Sequence, residues 1–453
     1  MMANTYLGDM QVLGPYYSHT LMHTVLSHSI RWGKSHKPTR ELLDQHYEGG
    51  AVFGRYARMM VFDELGRGAC TVPTAQAFLL LSAQECSLGN TAQAYVYSGI
   101  AFRLIDHLGI LIDGQRYAAS VNLSEEDIEI RNRLFWSCYF WDKIISLYLG
   151  RSPSLRHSTV SPPQLICKLQ GSQSIMRSFP GFLLSIVDDS AEEEPWVPFG
   201  LEVEGLNYPP TPAHSTSCFT RMCQLSVIFN EILIHMYDPL SQNTELEMQE
   251  CFVRQERALK QWWDDLPLPL KLEATNMPLL APPSHIVLLK YTCFYSPPLH
   301  LMLTGVSCLY NTFTILLYRP MLFRRELTQG IAQPNPKHLL ECVTTAVSTL
   351  AIFELFCKTF GYERVVLSLS YSLYIAASIF LLQLQANRDN ATALRRLEFC
   401  IRALDRVKDI NPGTSASPQY YVARPVSLAN YLFIHSYREP SETHATSIRE
   451  TRY

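Results

Sequence analysis

The sequence predicts an all-α protein: a large multi-helix bundle interrupted by an irregular, proline- and acid-rich segment in mid-chain. Three observations predict it. Apolar residues recur at helical spacing in one segment after another, with no sustained strand alternation and no internal repeat. Proline and glycine cluster between those segments, where helices start and stop. Of the 453 residues, 47% are hydrophobic and only 17% charged, so the chain must bury much of itself.

The elements follow in order. Pro15–Lys34 sets Tyr17, Leu21, Val25, Ile30 and Trp32 roughly at helical spacing. Arg40–Leu65 reads as a second helix, softened by Gly49-Gly50 and Gly54. Pro73–Ser87 and Thr91–Leu111 are separated by Gly89-Asn90, a stop followed by a start. Ser124 with Asp127 forms a capping box for a helix through Leu149. Composition then changes. Pro162-Pro163, Asp188-Asp189, Glu192–Glu194 and Pro209–Pro212 predict a linker or surface excursion from about Arg156 to Ser215. Helical pattern resumes at Thr216–Tyr237 and Glu245–Asp264 and stops at Leu266-Pro267-Leu268-Pro269. It returns at Pro283–Leu289, Leu309–Leu327, Lys337–Phe360, Val365–Asn387 and Ala391–Asp409.

These segments divide the chain into an N-terminal helical half (1–155), the irregular segment (156–215), a C-terminal helical half (216–436) and a disordered tail (437–453). Tyr291–Cys308 fits this scheme poorly. Pro297-Pro298 would break a helix from within, so the stretch reads as an insertion or as mis-translated gene sequence.

A net charge of −3 gives no electrostatic footprint for nucleic acid. The 12 cysteines run from Cys70 to Cys400 without any Cys-x2-Cys pair, which excludes a zinc binuclear cluster within this sequence. They read as reduced thiols, most of them in apolar runs. Met1–Leu13 lacks the features of a signal peptide. Leu299–Tyr318 and Val365–Leu384 have the length of membrane spans but only moderate hydrophobicity, so they read as central bundle helices with no membrane partner.

Candidate chemistry is sparse. Asp188-Asp189-Ser190-Ala191-Glu192 matches a magnesium-holding Asp-Asp-x-x-Glu, yet no second metal motif faces it, and Glu193-Glu194-Pro195 continue it as an acidic loop. His19 and His23 are four apart, with His28 further on, but no Glu or third ligand completes a zinc site. Arg324-Arg325 and Arg395-Arg396 are too short to be nucleic-acid patches. No phosphate-binding loop or nucleophile motif occurs. The expectation is therefore no catalytic, cofactor-binding or metal-ligating residue.

The most informative stretch is Ile130–Leu155, IRNRLFWSCYFWDKIISLYLGRSPSL. At about 100° per residue, Arg131, Asn132, Asp142, Lys143 and Ser146 gather on one polar stripe. Leu134, Cys138, Trp141, Ile144, Ile145 and Tyr148 fill a wide apolar arc, and Arg133 and Ser137 fall inside it. A guanidinium there must be paired, with Asp106 or Glu85 on the preceding helices as the natural partners. Its removal is expected to cost about 3 kcal/mol.

As a string, this stretch closely resembles the signature of the fungal-specific transcription-factor domain, the helical middle region of zinc-binuclear-cluster regulators. The matching positions are Arg131, Arg133, Phe135, Trp136, Ser137, Cys138, Tyr139, Asp142, Gly150, Arg151 and Pro153; Ser152 stands where the family commonly has a first proline. Upstream, Pro73–Cys86 and Ala92–Ile110 keep the family's helix order, and the flavour resembles the nitrate-assimilation type. The resemblance implies an all-α regulatory domain acting in the nucleus to control transcription, for a metabolic or secondary-metabolite gene cluster. It implies zinc only in a cluster module outside this sequence, and DNA contact only indirectly or through such a module. It further implies a homodimer or a full-length zinc-cluster regulator as partner, and a small-molecule effector. Two rival readings are a helical interaction protein that modulates a full-length regulator and an all-α metal-dependent enzyme.

Overall fold

The computed structural model describes residues 14–112, 122–155, 190–200, 208–238, 240, 242–273, 277–287, 306–322 and 335–410. The described chain is overwhelmingly helical, as its periodicity predicts. Among the described residues of the first part, the helices are α1 (His19–Gly33), α2 (Lys37–His46), α3 (Ala51–Gly66), α4 (Val72–Ser87), α5 (Thr91–His107) and α6 (Glu125–Leu149). The helix expected over Arg40–Leu65 is two helices. Gly49 and Gly50 hold φ of +61° and +89°, a left-handed backbone that no helix can continue through. The capping box is present: Asp127 donates its backbone N–H to the Ser124 hydroxyl at 3.1 Å, and Ser124 returns its N–H to the Asp127 carboxylate at 2.8 Å.

The later helices are α7 (Ser215–Ile232), α8 (Glu245–Asp264), α9 (Val306–Tyr318), α10 (Pro336–Phe360), α11 (Leu367–Ala386) and α12 (Ala391–Ile410). Residues 288–305 lie outside the described region, so Pro297-Pro298 and most of Tyr291–Cys308 do too, as does Arg324-Arg325. Helix α11 packs against α9, α10 and α12. Helices α10 and α11 are each long and apolar enough to cross a bilayer, yet the most apolar window of α11 is 61% buried within the bundle.

One buried core runs through both parts of the chain. Helix α7 docks on α6, and Tyr148 of α6 meets Tyr371 of α11 at 4.8 Å between ring centroids. At the far end of the sequence separation, Arg31 of α1 donates to the carbonyl of Val365.

The described part of the irregular segment differs from a surface excursion. A two-residue antiparallel ladder pairs Pro195–Trp196 (β1) with Thr211–Pro212 (β2). It delivers Trp196 and Tyr208 into the core against Phe360 of α10. Tyr208 donates its hydroxyl to the Ala281 carbonyl at 3.0 Å, and Arg364 donates to the Gly200 carbonyl at 2.8 Å. The aromatic payload explains the difference. A Trp and a Tyr among prolines and acids carry enough apolar area to draw an otherwise polar segment inward.

Candidate functional site

Helix α6 carries every residue of the signature before its terminal turn, and the structure shows what those residues do. Phe135, Trp136 and Tyr139 form an edge-on aromatic cluster, with Trp136 at 5.3 Å from Phe135 and 5.5 Å from Tyr139. Trp141 donates its indole N–H to the Ser82 hydroxyl at 2.8 Å, and Ser82 donates onward to the Ala94 carbonyl at 2.6 Å. That chain of bonds ties α6, α4 and α5 together.

Gly150 ends the helix at φ +61°, the left-handed cap for which glycine is the preferred residue. Gly150 and Arg151 both donate backbone N–H groups back to the Ser146 carbonyl. The chain then returns along α6. Asp142 receives it: Oδ1 accepts the N–H of Ser154 at 2.9 Å and Oδ2 accepts the N–H of Leu155 at 2.9 Å. Lys143 completes the latch by donating to Asp142 Oδ2 at 2.7 Å and to the Leu155 carbonyl, with its ammonium 4.1 Å from the Tyr139 ring centroid. Asp142 is 1% exposed and Lys143 not at all. Burial pushes the Lys143 ammonium below its ordinary pKa, while the Asp142 charge pulls it back up.

The polar stripe expected on α6 is therefore not a solvated face. Asn132, Asp142, Lys143 and Ser146 are all buried, and the Gly150–Leu155 return supplies the backbone partners of Asp142 and Lys143. A helical wheel registers neighbours on the helix itself and has no term for a segment folding back over it. Ser152 and Pro153 are half-buried in the same turn, and Ser152 donates to Asp238 at 2.5 Å. Arg151 is exposed, with its guanidinium 5.9 Å from the Tyr95 ring centroid.

Arg133 requires a correction. Its partner is Glu129, one turn back on α6 at 2.6 Å, and the two side chains are 17% and 16% exposed. Glu85 is taken instead by Arg58 at 3.3 Å and Asn90 at 2.6 Å, and Asp106 lies near Arg103 on an exposed face. Arg131 donates to the Leu108 carbonyl and so ties the start of α6 to the end of α5.

The other candidates take structural roles. Asp188 and Asp189 lie outside the described residues. Glu192 accepts the backbone N–H of Ser217 at 2.5 Å and sits at the N-terminus of α7, where a carboxylate meets unsatisfied N–H groups. Among the described residues no three His, Cys, Asp or Glu side chains are grouped to hold a metal. His19 pairs with the Tyr17 hydroxyl, while His23 lies against Phe53 and Tyr56. Arg396 packs over the Phe380 ring. The ten described cysteines are free thiols. Burial pushes Cys86, Cys308, Cys342 and Cys400 up to about 12.

Helix α6 also walls a partly open cavity of about 90 Å³ shared with α1, α4 and the start of α11. His28, Arg31, Trp32 and Ser368 line it. Of the four, sequence brought up His28 alone, as a possible metal ligand beside His19 and His23; the four come from two helices more than 300 residues apart, so no local pattern groups them.

A model of the family described as the fungal specific transcription factor domain matches residues 28–264. The chain is similar to the nitrogen assimilation transcription factor nirA of Emericella nidulans, 26% identical over 415 residues, covering 87% of this chain and 40% of that protein. It is similar to the nitrogen assimilation transcription factor nit-4 of Neurospora crassa, 24% identical over 364 residues, covering 78% of this chain and 28% of that protein. A shorter likeness, 32% over 108 residues, joins it to the TY1 enhancer activator of Saccharomyces cerevisiae, covering 23% of this chain and 14% of that one. The chain thus spans less than half the length of these relatives. No solved structure matches it.

Proposed function

The chain belongs to the fungal-specific transcription factor domain family, and from that premise we propose that it is the helical regulatory part of a transcription regulator, working in the nucleus. The relatives are transcription regulators, not enzymes, so the metal-dependent enzyme has no support. The observation that carries the reading is the family match over residues 28–264, a region that contains the whole Asp142–Lys143 latch. Control of nutrient-use genes, of the nitrogen-assimilation kind named for two relatives, is favoured over control of a secondary-metabolite cluster.

The four-part division of the chain at 155, 215 and 436 enters this reading as a proposal. So does the assignment of Arg131, Arg133, Phe135, Trp136, Asp142, Gly150, Arg151 and Pro153 as the residues that hold the regulatory domain in shape. DNA contact falls to a zinc-cluster module or to a partner, either a second copy or a full-length regulator, because a net charge of −3 makes a poor phosphate-binding surface.

Tethering tests this. The chain fused to an unrelated DNA-binding module should change output from a reporter carrying that module's site, and the change should depend on nitrogen source. A tethered chain that leaves the reporter at the level of the DNA-binding module alone would overturn the reading. The purified chain is expected to bind duplex DNA only nonspecifically in a gel shift.

A further inference from the structure

The cavity between α1, α4, α6 and α11 is lined by both polar and apolar side chains. Among the described residues, five buried polar atoms of the side chains that line it have no hydrogen-bond partner: both ring nitrogens of His28, Arg31 Nε, Trp32 Nε1 and Ser368 Oγ. Buried polar atoms are nearly always satisfied, and several orphans around one space point to something that occupies it. Arg31 sharpens the case. Its guanidinium donates to the Val365 carbonyl and lies 5.9 Å from the Trp32 ring centroid, and among the described residues no carboxylate pairs with it. Arg31 is half-buried, a position where a cation without a counterion is still costly, and desolvation holds it down to about 10. His28 is held down to about 3, mainly by burial and also by Arg31, so its ring is neutral at physiological pH and adds no second positive charge. The body of the cavity is formed by Phe140, Trp141, Ile144 and Tyr148. At roughly 10–15 Å³ per water, the volume admits about half a dozen waters or a small organic molecule.

We propose that this cavity binds a small organic monocarboxylate, with its carboxylate on the Arg31 and Trp32 N–H donors and its aliphatic body against Phe140, Trp141, Ile144 and Tyr148. One cation sets the charge at one. The neutral imidazole and the Ser368 hydroxyl serve as adaptable hydrogen-bond partners at the rim. The chain links the site to the latch directly, since Trp141 is next to Asp142 on α6. This inference deepens the regulatory reading above by giving the domain an effector class. Its test uses the purified chain, so it can fail while the tethered reporter succeeds, or the reverse.

The indole N–H signals of the 15N-labelled full chain provide the readout, with isovalerate, its neutral amide isovaleramide, and nitrate as probes. Trp32, assigned with Trp32→Phe, should move saturably with isovalerate, whereas Trp141, whose N–H is already given to Ser82, should move little. Isovaleramide should require about tenfold more ligand for the same shift, the discrimination expected for a charge-assisted bond. Arg31→Gln should remove the preference for isovalerate over its amide. Ser368→Ala, which leaves every packed group in place, should weaken isovalerate by a few-fold and provides the second test if Arg31→Gln fails to fold. No saturable shift with isovalerate would mean a cavity filled by water alone and would overturn the proposal. So would nitrate binding as tightly as isovalerate, which would mean a bare oxyanion site without use of the apolar body.

Discussion

Leu155 gives its backbone N–H to Asp142 at 2.9 Å and its carbonyl to Lys143, so a single residue beyond the helix satisfies both members of a buried ion pair. The pair and the returning chain are one unit. Removing the acid strands an ammonium and two N–H groups; removing the base strands only a carboxylate that still holds two backbone donors.

The two halves of the pair should therefore behave unequally. Asp142→Ala is expected to destabilise the domain by about 4 kcal/mol, at the level of a broken buried pair. Lys143→Met, which keeps most of the side-chain volume, should cost about 1–2 kcal/mol. Urea denaturation of the two variants checks this, and equal losses would refute the asymmetry.

Arg133→Ala should be mild. An i,i+4 pair with Glu129 and a ring contact 5.7 Å from Phe219 together contribute about 1 kcal/mol, not the 3 kcal/mol of an isolated core cation. A melting shift as large as that of Asp142→Ala would show that Arg133 is bound more deeply than these contacts indicate.

Two glycines separate backbone strain from packing. Gly150 has a left-handed backbone with open space around it, so Gly150→Ala should cost about 1 kcal/mol. At Gly50 an added methyl would also overlap the Ile30 side chain, which raises the expected loss to about 3 kcal/mol. The ranking of the two denaturation midpoints is the measurement.

Acid should loosen the fold through His28. Its pKa is 6.5 in the unfolded chain and about 3 in the folded one, so the unfolded state binds the extra proton between those values. Stability attributable to His28 is complete above pH 6.5 and falls as pH drops below it, by up to about 1.4 kcal/mol per pH unit. Urea midpoints measured at pH 7, 6 and 5 should decline more steeply for the native chain than for His28→Gln; parallel declines would refute the assignment.

Much of this architecture was readable from residues in order. The Ser124–Asp127 cap, the Gly150 stop and the helical runs on either side of mid-chain are local features, fixed by neighbours three or four positions away. The site residues divide on the same ground. Leu134, Cys138 and Trp141 could be placed in the core from periodicity alone, whereas Phe135 and Trp136, which fall on or beside the polar stripe, stood out only in the signature, as did Asp142 and Gly150. The burial of Lys143 could not be read, because its partner is a carbonyl 12 residues later, on a turn whose path no periodicity encodes. Nor could the choice of Glu129 over Glu85 for Arg133, since Glu85 is held by Arg58 of α3 and by Asn90 in the turn after its own helix. Trp196 and Tyr208 went inward against the polarity of their surroundings because the core had room for two rings beside Phe360.

The bond from Arg31 to the Val365 carbonyl spans 334 residues, and it sets a timetable during synthesis. At about 5–20 residues per second, the ribosome needs roughly 20–60 s after making α1 before the strand of chain that closes over it has been translated. For that interval Arg31, Trp32 and their apolar neighbours wait without their partner. Through that interval α1 rests on α3 and α4, and a chain that stops short of Val365 would keep those contacts while leaving Arg31 without its carbonyl partner.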